Sequence, residues 1–389
     1  MSGPPAVIHG HPPPDVRVDE RGGVRVDYID DWSGVVLGAD AREARERAEH
    51  RLACCRGALR ARGLGSHKEQ LARFLTLLGG SLEAGERRLL PESQKLRELI
   101  AATQGVLRAG RVRPDVLERV VGKWSALALM RRELFACLRW VYIWLSAARD
   151  ARSERVVQPL PARAQRELRM LLHLAPLLSA ELHWDVCPEV SMVDGGPGGL
   201  GVVVARRPAE LVRRECRAGH GNGWWRASSL DPSKLDQPDA VVAPPPAVST
   251  ELLAHNVKWR MAVCAKAPVE HNNVTETRAY TVAVRRLTRN RAFRGQRVLV
   301  VTDSYVCMGV MGKGRSSSGP LLHQARRAGA HALFADLRIC RRYVPSEWNL
   351  ADWASRGKLL VGVAPDTAAK AVARGRLLID ILRSPPRPE

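Results

Sequence analysis

The stretch VLVVTDS, from Val298 to Ser304, decides the fold class of this chain. Its first five residues carry no charge, and all but one are β-branched, which is typical of a strand buried on both faces of a sheet. Asp303 follows where the predicted strand ends. Because a charge beside a buried strand costs free energy unless it has a partner, Asp303 is the first candidate for a functional residue.

Three further acidic residues lie in comparable local contexts. A predicted strand ends at Asp194 and returns as a hairpin over residues 199–206. Glu276 lies on a predicted helix over residues 275–287, at the head of its apolar stripe. Asp352 lies at a predicted helix start, where the helix dipole favours an anion. A strand, a helix, a strand and a helix start therefore each supply one carboxylate.

Each of these acids also has an ordinary structural explanation. Asp352 can be a plain helix cap, which is the commoner role for such a residue taken alone. Glu276 can be a solvated acid of a first helical turn, and Asp194 can be the turn residue of a hairpin. If the four carboxylates converge, they repel one another unless cations lie between them. A hard divalent ion such as Mg²⁺, which prefers oxygen ligands, is the natural partner.

Composition indicates soluble folded domains and a polyanionic partner. The 389 residues allow two or three domains, and 61 Lys and Arg against 40 Asp and Glu give a net charge of +21. Such an excess favours nucleic acid, although a coding bias toward Arg would produce part of it. The segment 1–20 is polar and Pro-rich, without the apolar core of a signal peptide, and no apolar stretch has membrane-spanning length.

The cysteines do not form a metal-binding pattern. All eight are scattered and no Cys-x-x-Cys pair exists, so zinc is not expected. A reduced intracellular setting, nucleus or cytoplasm, is the simpler interpretation.

Two glycine motifs imitate nucleotide-binding signatures. The spacing Gly196-x-Gly198-x-x-Gly201 matches a dinucleotide fingerprint, but the β-branched residues after it predict a strand where that fingerprint requires a helix. Residues 309–314 resemble a P-loop without its spacing. The basic segment 313–318 is either a contact to a phosphate backbone or a solvated loop.

Four phrases in order carry a family resemblance: HNNVTETRA at 271–279, TDS at 302–304, GKGRSSS at 312–318 and VPSEWNLADWASR at 344–356. Together they resemble the ribonuclease H (RNase H) domain of retroelement reverse transcriptases. The form that follows the polymerase in tyrosine-recombinase (DIRS-like) retrotransposons is the most similar. The resemblance covers about residues 185–358 and implies an α/β fold, a mixed five-stranded sheet with flanking helices.

The resemblance also implies a reaction and a set of site residues. It implies hydrolysis of the RNA strand of RNA–DNA hybrids by two Mg²⁺ or Mn²⁺ ions. Asp194 would bridge both ions, Asp352 would complete the ion on the nucleophile side, and Glu276 and Asp303 would hold the other. The expected nucleic-acid contacts are Ser304, Lys313, Arg315 and Asn349.

A second resemblance lies in the N-terminal half. Residues 28–31, YIDD, resemble the metal-binding hairpin of a reverse transcriptase palm, and the sequence downstream resembles the thumb of that family. Asp30 and Asp31 would then be a vestigial polymerase site. Only 27 residues precede this motif, and the family's fingers and other palm acid normally lie upstream. We therefore expect a fragment of a longer polyprotein that does not extend primers by itself.

These observations predict a disordered leader at 1–22, a partial palm at 23–80, a helical thumb or connection at 81–184, an RNase H-like domain at 185–358, and a C-terminal helix with a disordered tail at 359–389. Two alternatives to hydrolysis stay open. One is a catalytically inactive nucleic-acid-binding remnant of a retroelement. The other is the polymerase part of an enzyme whose upstream segment is supplied separately.

Overall fold

The structure is a computed structural model, and it describes residues 15–18, 24–28, 31–35, 41–61, 63, 74–77, 80–83, 88–181, 184–218, 247–253 and 258–357. The chain divides into two compact units, Met1–Leu75 with Arg226–Ala243 and Thr76–Trp225 with Pro244–Glu389. In the described part, no helix is both long and apolar enough to cross a membrane. The predicted C-terminal helix and tail lie outside the described residues.

The first unit contains a small antiparallel sheet and one helix: β1 (Asp15–Val18), β2 (Val24–Tyr28), β3 (Asp31–Val35) and α1 (Ala41–Arg60). The strand order is β1-β2-β3, and Tyr28 pairs with Asp31 at the turn between β2 and β3. The predicted hairpin at this motif is therefore confirmed. β1, in which Asp15 pairs with Asp27, lies within the segment 1–22 that the sequence predicts as a leader.

The second unit begins with a helical body, which we define as residues 93–178. The elements from β4 onward are β4 (Phe74–Leu77), β5 (Gly80–Glu83), β6 (Arg88–Pro91), α2 (Ser93–Ala109), β7 (Arg111–Val112), α3 (Pro114–Ala128), α4 (Arg139–Asp150), β8 (Gln158–Pro159), α5 (Ala162–Leu174) and β9 (Ala180–Glu181). α3 starts at Pro114, whose ring suits the first helical position, and has Asp115 in its first turn. Trp124 is fully buried, and its indole N–H donates to the Thr103 hydroxyl at 2.9 Å.

The remaining elements form the sheet domain: β10 (Asp185–Gly196), β11 (Gly199–Arg206), α6 (Ala209–Ala218), β12 (Arg260–Lys266), α7 (Asn272–Arg289), β13 (Gln296–Thr302), α8 (Tyr305–Lys313), α9 (Gly319–Phe334), β14 (Arg338–Tyr343) and α10 (Ala351–Ser355). The sheet has five strands in the order β12-β11-β10-β13-β14. β11 is antiparallel to β10 and β12, whereas β13 is parallel to β10 and β14.

This arrangement confirms the predicted RNase H-like fold class, a mixed five-stranded sheet with flanking helices. Apolar residues of α7, α8 and α9 cover one face, and those of α6, α10, residues 248–253 and Trp259 cover the other. β13 lies between two parallel neighbours, and residues 298–301 are fully buried, as their apolar run predicts.

The helical body is joined to α9 by a buried ion pair. Arg326 donates to the Ala136 carbonyl at 2.8 Å and to the Glu167 carboxylate, which also accepts the backbone N–H groups of Trp140 and Val141. Burial raises the pKa of Glu167, while these N–H donors and Arg326 lower it. Breaking such a contact leaves a buried charge unpaired, so the pair fixes the helical body against the sheet domain.

Candidate active site

The sheet register places Asp194 and Asp303 at the same edge. β10 and β13 run parallel, and the last pair of their ladder is Val193 with Thr302. Asp194 and Asp303 are the next residues along the two strands. Two acids predicted at strand ends therefore become neighbours through strand pairing.

Glu276 reaches this edge because Gly195 has no side chain. A Cβ atom on Gly195 would lie 2.4 Å from the Thr275 carbonyl carbon and 2.5 Å from the Glu276 nitrogen. Any other residue at this position would push α7 away from β10. The first turn of α7 thus lies directly against the residue that follows Asp194.

Asp352 is positioned by two further glycines and one asparagine. A Cβ on Gly199 would lie 1.9 Å from the Ser355 carbonyl oxygen, and one on Gly201 would lie 2.5 Å from the Ala351 carbonyl oxygen. The Asn349 side chain donates to the Val193 carbonyl and accepts from the Ala351 N–H, both at 3.1 Å. The glycine motif that imitates a dinucleotide fingerprint therefore serves the close packing of α10 on β11.

Electrostatics link the four carboxylates. The pKa of Asp194 is raised to about 6. Burial is the largest cause and the charges of Asp303 and Asp352 add to it, while hydrogen bonds from the Ser355 hydroxyl and the Gly195 N–H lower it. Burial also raises the pKa of Glu276. The Ser304 hydroxyl lowers it, and the charges of Asp303 and Asp194 raise it. The four acids therefore form one group of mutually repelling charges.

Asp194 differs from the other buried acids of the described residues. Four acidic residues are less than 9% exposed: Glu167, Glu189, Asp194 and Glu215. The three glutamates each form a salt bridge with at least one arginine. Asp194, at 8% exposure, has no such partner among the described residues, and one oxygen of Asp303, Oδ1, is buried without a hydrogen-bond partner. Asp194 is therefore a buried acid without an ion-pair partner in a part of the chain where the other buried acids have one.

The carboxylates face one another without forming a ligand set as they stand. Within the described ranges, no three His, Cys, Asp or Glu side chains lie close enough together to hold one metal ion. Two of the four acids are engaged by their own helices: Asn272 donates to Glu276 at 2.8 Å, and the Arg356 Nε donates to Asp352 at 2.8 Å. Side-chain rotations at these two positions would be needed to bring all four oxygens onto shared ions.

The predicted nucleic-acid contacts divide into two groups. Lys313 and Arg315 are exposed at the end of α8. Asn349 and Ser304 are only 3% and 6% exposed, and the Ser304 hydroxyl accepts the Cys307 N–H at the start of α8. The polar atoms of these two residues position α10 and α8, and their contact to nucleic acid stays a prediction.

The sequence interpretation missed an aromatic pair beside Asp303. The rings of Tyr305 and Tyr343 stack with centroids 4.4 Å apart, and Tyr305 is 48% exposed. Burial raises the pKa of Tyr343, with Tyr305 and Asp303 contributing. An exposed aromatic ring next to a carboxylate can stack on a sugar or base, and Tyr305, two residues after Asp303, was the only sequence signal for it.

The proposed polymerase acids lie in the first unit. Asp30 is outside the described residues, and Asp31 is the first residue of β3. Their role as a vestigial metal site stays a prediction.

Comparisons with known proteins gave matches among solved structures alone. No protein-family model and no curated protein matched the chain. An N-terminal RNase H domain of Mycobacterium tuberculosis, solved as a fusion with maltose-binding protein, is 19% identical with a TM-score of 0.24, covering 47% of this chain and 97% of that one. A foamy viral protease-reverse transcriptase in complex with an RNA/DNA hybrid is 13% identical with a TM-score of 0.21, covering 74% of this chain and 52% of that one. Because both TM-scores are low, the fold class rests on the strand order and directions described above.

Proposed function

We propose that this chain hydrolyses the RNA strand of RNA–DNA hybrids, as an intracellular part of a retroelement reverse transcriptase, with Asp194, Glu276, Asp303 and Asp352 as the catalytic carboxylates. The observation that carries the proposal is the unpaired state of Asp194. The buried glutamates of the same unit have arginine partners, whereas Asp194 faces further carboxylates. Such an arrangement is costly unless cations enter it.

The donor set suits Mg²⁺ or Mn²⁺. All four side chains offer carboxylate oxygens, and hard divalent cations prefer oxygen ligands. The buried Oδ1 of Asp303 has no hydrogen-bond partner and is therefore available as an acceptor. Two such ions, when bound, supply Lewis-acid stabilisation of the charge that develops on the phosphate oxygens during hydrolysis.

The protein's own residues would prepare the site. Gly195, Gly201 and Asn349 hold the carboxylate-bearing segments together, so the acids do not separate under their mutual repulsion. Asn272 and Arg356 hold the Glu276 and Asp352 side chains in place. Ions that bind all four carboxylates would have to displace these two contacts by rotating the Glu276 and Asp352 side chains.

The substrate class follows from charge and from the resemblance together. Lys313 and Arg315 are exposed at the end of α8, the helix that starts two residues after Asp303. Exposed cations there would contact phosphates of the bound substrate. The hybrid specificity itself rests on the resemblance of the four sequence phrases.

The test is cleavage of an end-labelled RNA–DNA hybrid with Mg²⁺ or Mn²⁺, comparing wild type with Asp303→Asn. The substitution keeps size and shape but removes one charge. We expect cleavage to collapse while hybrid binding survives or tightens, because repulsion of the phosphates falls. Thermal stability, measured beside cleavage, should be nearly unchanged.

Two other outcomes would contradict the proposal. If the variant melts at a lower temperature and keeps its cleavage per folded molecule, Asp303 is structural. If wild type binds the hybrid but neither Mg²⁺ nor Mn²⁺ produces cleavage, the chain is the inactive nucleic-acid-binding remnant.

A further inference from the structure

A second basic surface lies at the far end of α7 from the carboxylates. Arg285 and Arg289 are exposed one helical turn apart near the end of α7, and Arg327 and His331 are one turn apart on α9, which packs beside it. The exposed side chain of Arg294 lies over the ring of Phe334, which is 71% exposed. We call Arg285, Arg289, Arg294, Arg327 and Phe334 the distal patch.

Among the residues that the structure describes, the arginines of the distal patch are not engaged in salt bridges. Arg286, between Arg285 and Arg289, pairs with the buried Glu189, whereas Arg285, Arg289 and Arg327 form no salt bridge within the described residues. His331 experiences their combined charge: burial lowers its pKa, and Arg285, Arg327 and Arg289 lower it further. Like charges held this close cost free energy without an anionic ligand.

The position of the distal patch suits the substrate of the carboxylate site. Arg289 lies about 20 Å along the α7 axis from Glu276, at about 1.5 Å per residue. A duplex covers that distance in about six base pairs, at about 3.4 Å between phosphates of one strand. A row of guanidinium groups beside an exposed aromatic ring fits a sugar-phosphate backbone.

We propose that the distal patch binds the backbone of the RNA–DNA hybrid away from the scissile bond. This second binding site rests on the proposed function, since it assigns another contact to the same substrate. Its arginines interact with phosphates and not with bases, so the contact is insensitive to sequence.

The test measures binding of a labelled hybrid by fluorescence anisotropy, with a chelator present so that cleavage does not interfere. The triple variant Arg285→Gln, Arg289→Gln and Arg327→Gln is compared with wild type. The matched control carries Arg97→Gln, Arg108→Gln and Arg119→Gln, three exposed arginines of the helical body. Both variants lose the same charge, and Gln is compatible with a helix.

The expected readout is salt dependence. Each phosphate contact adds about 0.9 to the slope of log affinity against log salt, so three contacts weaken binding by about 40-fold between about 50 and 200 mM salt. Between these two salt concentrations, wild type and the control should lose affinity by this additional factor, and the patch variant should not. In wild type, the pKa of His331, followed by NMR, should rise when hybrid covers the distal patch.

Equal salt slopes for the patch variant and the control would overturn the proposal, as would a His331 pKa that hybrid leaves unchanged. Failure of the proposed function is distinguishable from failure of the distal patch. If wild type cleaves nothing but its salt slope differs from that of the patch variant, the distal-patch proposal holds and the hydrolysis proposal fails. If wild type cleaves and its salt slope equals that of the patch variant, only the hydrolysis proposal holds.

Discussion

Replacing Asp194 by Asn should stabilise the protein, and the gain should depend on pH. The carboxyl group has a folded pKa of about 6 against an ordinary value of 3.8. A group with a raised folded pKa stabilises the fold only while it is protonated. That stabilisation is complete below 3.8 and is lost as the pH rises through about 6. Asn is neutral at every pH, so the variant does not lose this stabilisation as the pH rises.

The size of the effect follows from the two pKa values. Their difference corresponds to about 3 kcal/mol in the free energy of unfolding at about pH 7.5, where the wild-type carboxylate is charged. At about pH 5 the folded carboxyl is mostly protonated, and the expected gain falls to about 1.5 kcal/mol. Asn keeps an oxygen that can accept from the Ser355 hydroxyl and the Gly195 N–H, so few contacts are lost.

The assay is urea unfolding with a chelator present at both pH values, with Asp185→Asn as the matched control. Asp185 is exposed at the start of the same strand, so its neutralisation should change stability little at either pH. Adding Mg²⁺ at about ten times its Kd should then stabilise wild type by about 1.4 kcal/mol and Asp194→Asn by much less.

A loss of stability in Asp194→Asn, or a gain that does not shrink at the lower pH, would refute the reasoning. Either result would mean that the native protein already compensates the Asp194 charge. An equal Mg²⁺ response in both proteins would separately contradict Asp194 as a ligand.

Three further substitutions test how the site is held together. Gly201→Ala should lower the free energy of unfolding by about 3 kcal/mol, because the alanine methyl group would overlap the α10 backbone. The control Gly122→Ala, on an open helix surface, should raise it by up to about 1 kcal/mol, and urea unfolding measures both. Glu215→Gln should cost about 3–5 kcal/mol, since it leaves the buried Arg342 without its partner; a neutral result would show that this pair contributes nothing. Asn349→Ala should cost about 1–3 kcal/mol and lower hybrid cleavage by displacing α10, and unchanged cleavage with lowered stability would remove its positioning role.

Local patterns were sufficient for the elements that carry the acids. The apolar run before Asp303 predicts β13, the apolar stripe below Glu276 predicts α7, and the β-branched residues after Gly201 predict β11; all three are confirmed. These predictions succeed because burial and periodicity are properties of neighbouring residues in the sequence. α7 extends beyond its predicted bounds by three residues at its N-terminus and two at its C-terminus, because helix ends depend on caps such as His271.

Contacts between distant segments could not be predicted in the same way. Nothing near Asn349 indicates that its amide bonds a strand 156 residues earlier. The exposure of Lys313 and the burial of Ser304 likewise follow from packing and not from residue type. The roles of Gly195 and Gly201 depend on the helices that approach them. The motif that contains Gly201 therefore resembled a nucleotide site as long as only the sequence was considered.

Neutralising two buried acids of the same domain should therefore have opposite effects on stability. Glu215 and Asp194 are 3% and 8% exposed, and each lies beside the five-stranded sheet. Glu215 faces Arg342, so removing the Glu215 charge leaves a buried cation unpaired. Asp194 faces Asp303 and Asp352, so removing the Asp194 charge relieves repulsion. Stability lost in the first variant and gained in the second, without added metal, would identify the edge at Asp194 as a place where the fold tolerates strain. A strained cluster of this kind is expected where the missing charge is supplied by a ligand, and the response to Mg²⁺ tests whether that ligand is a divalent cation.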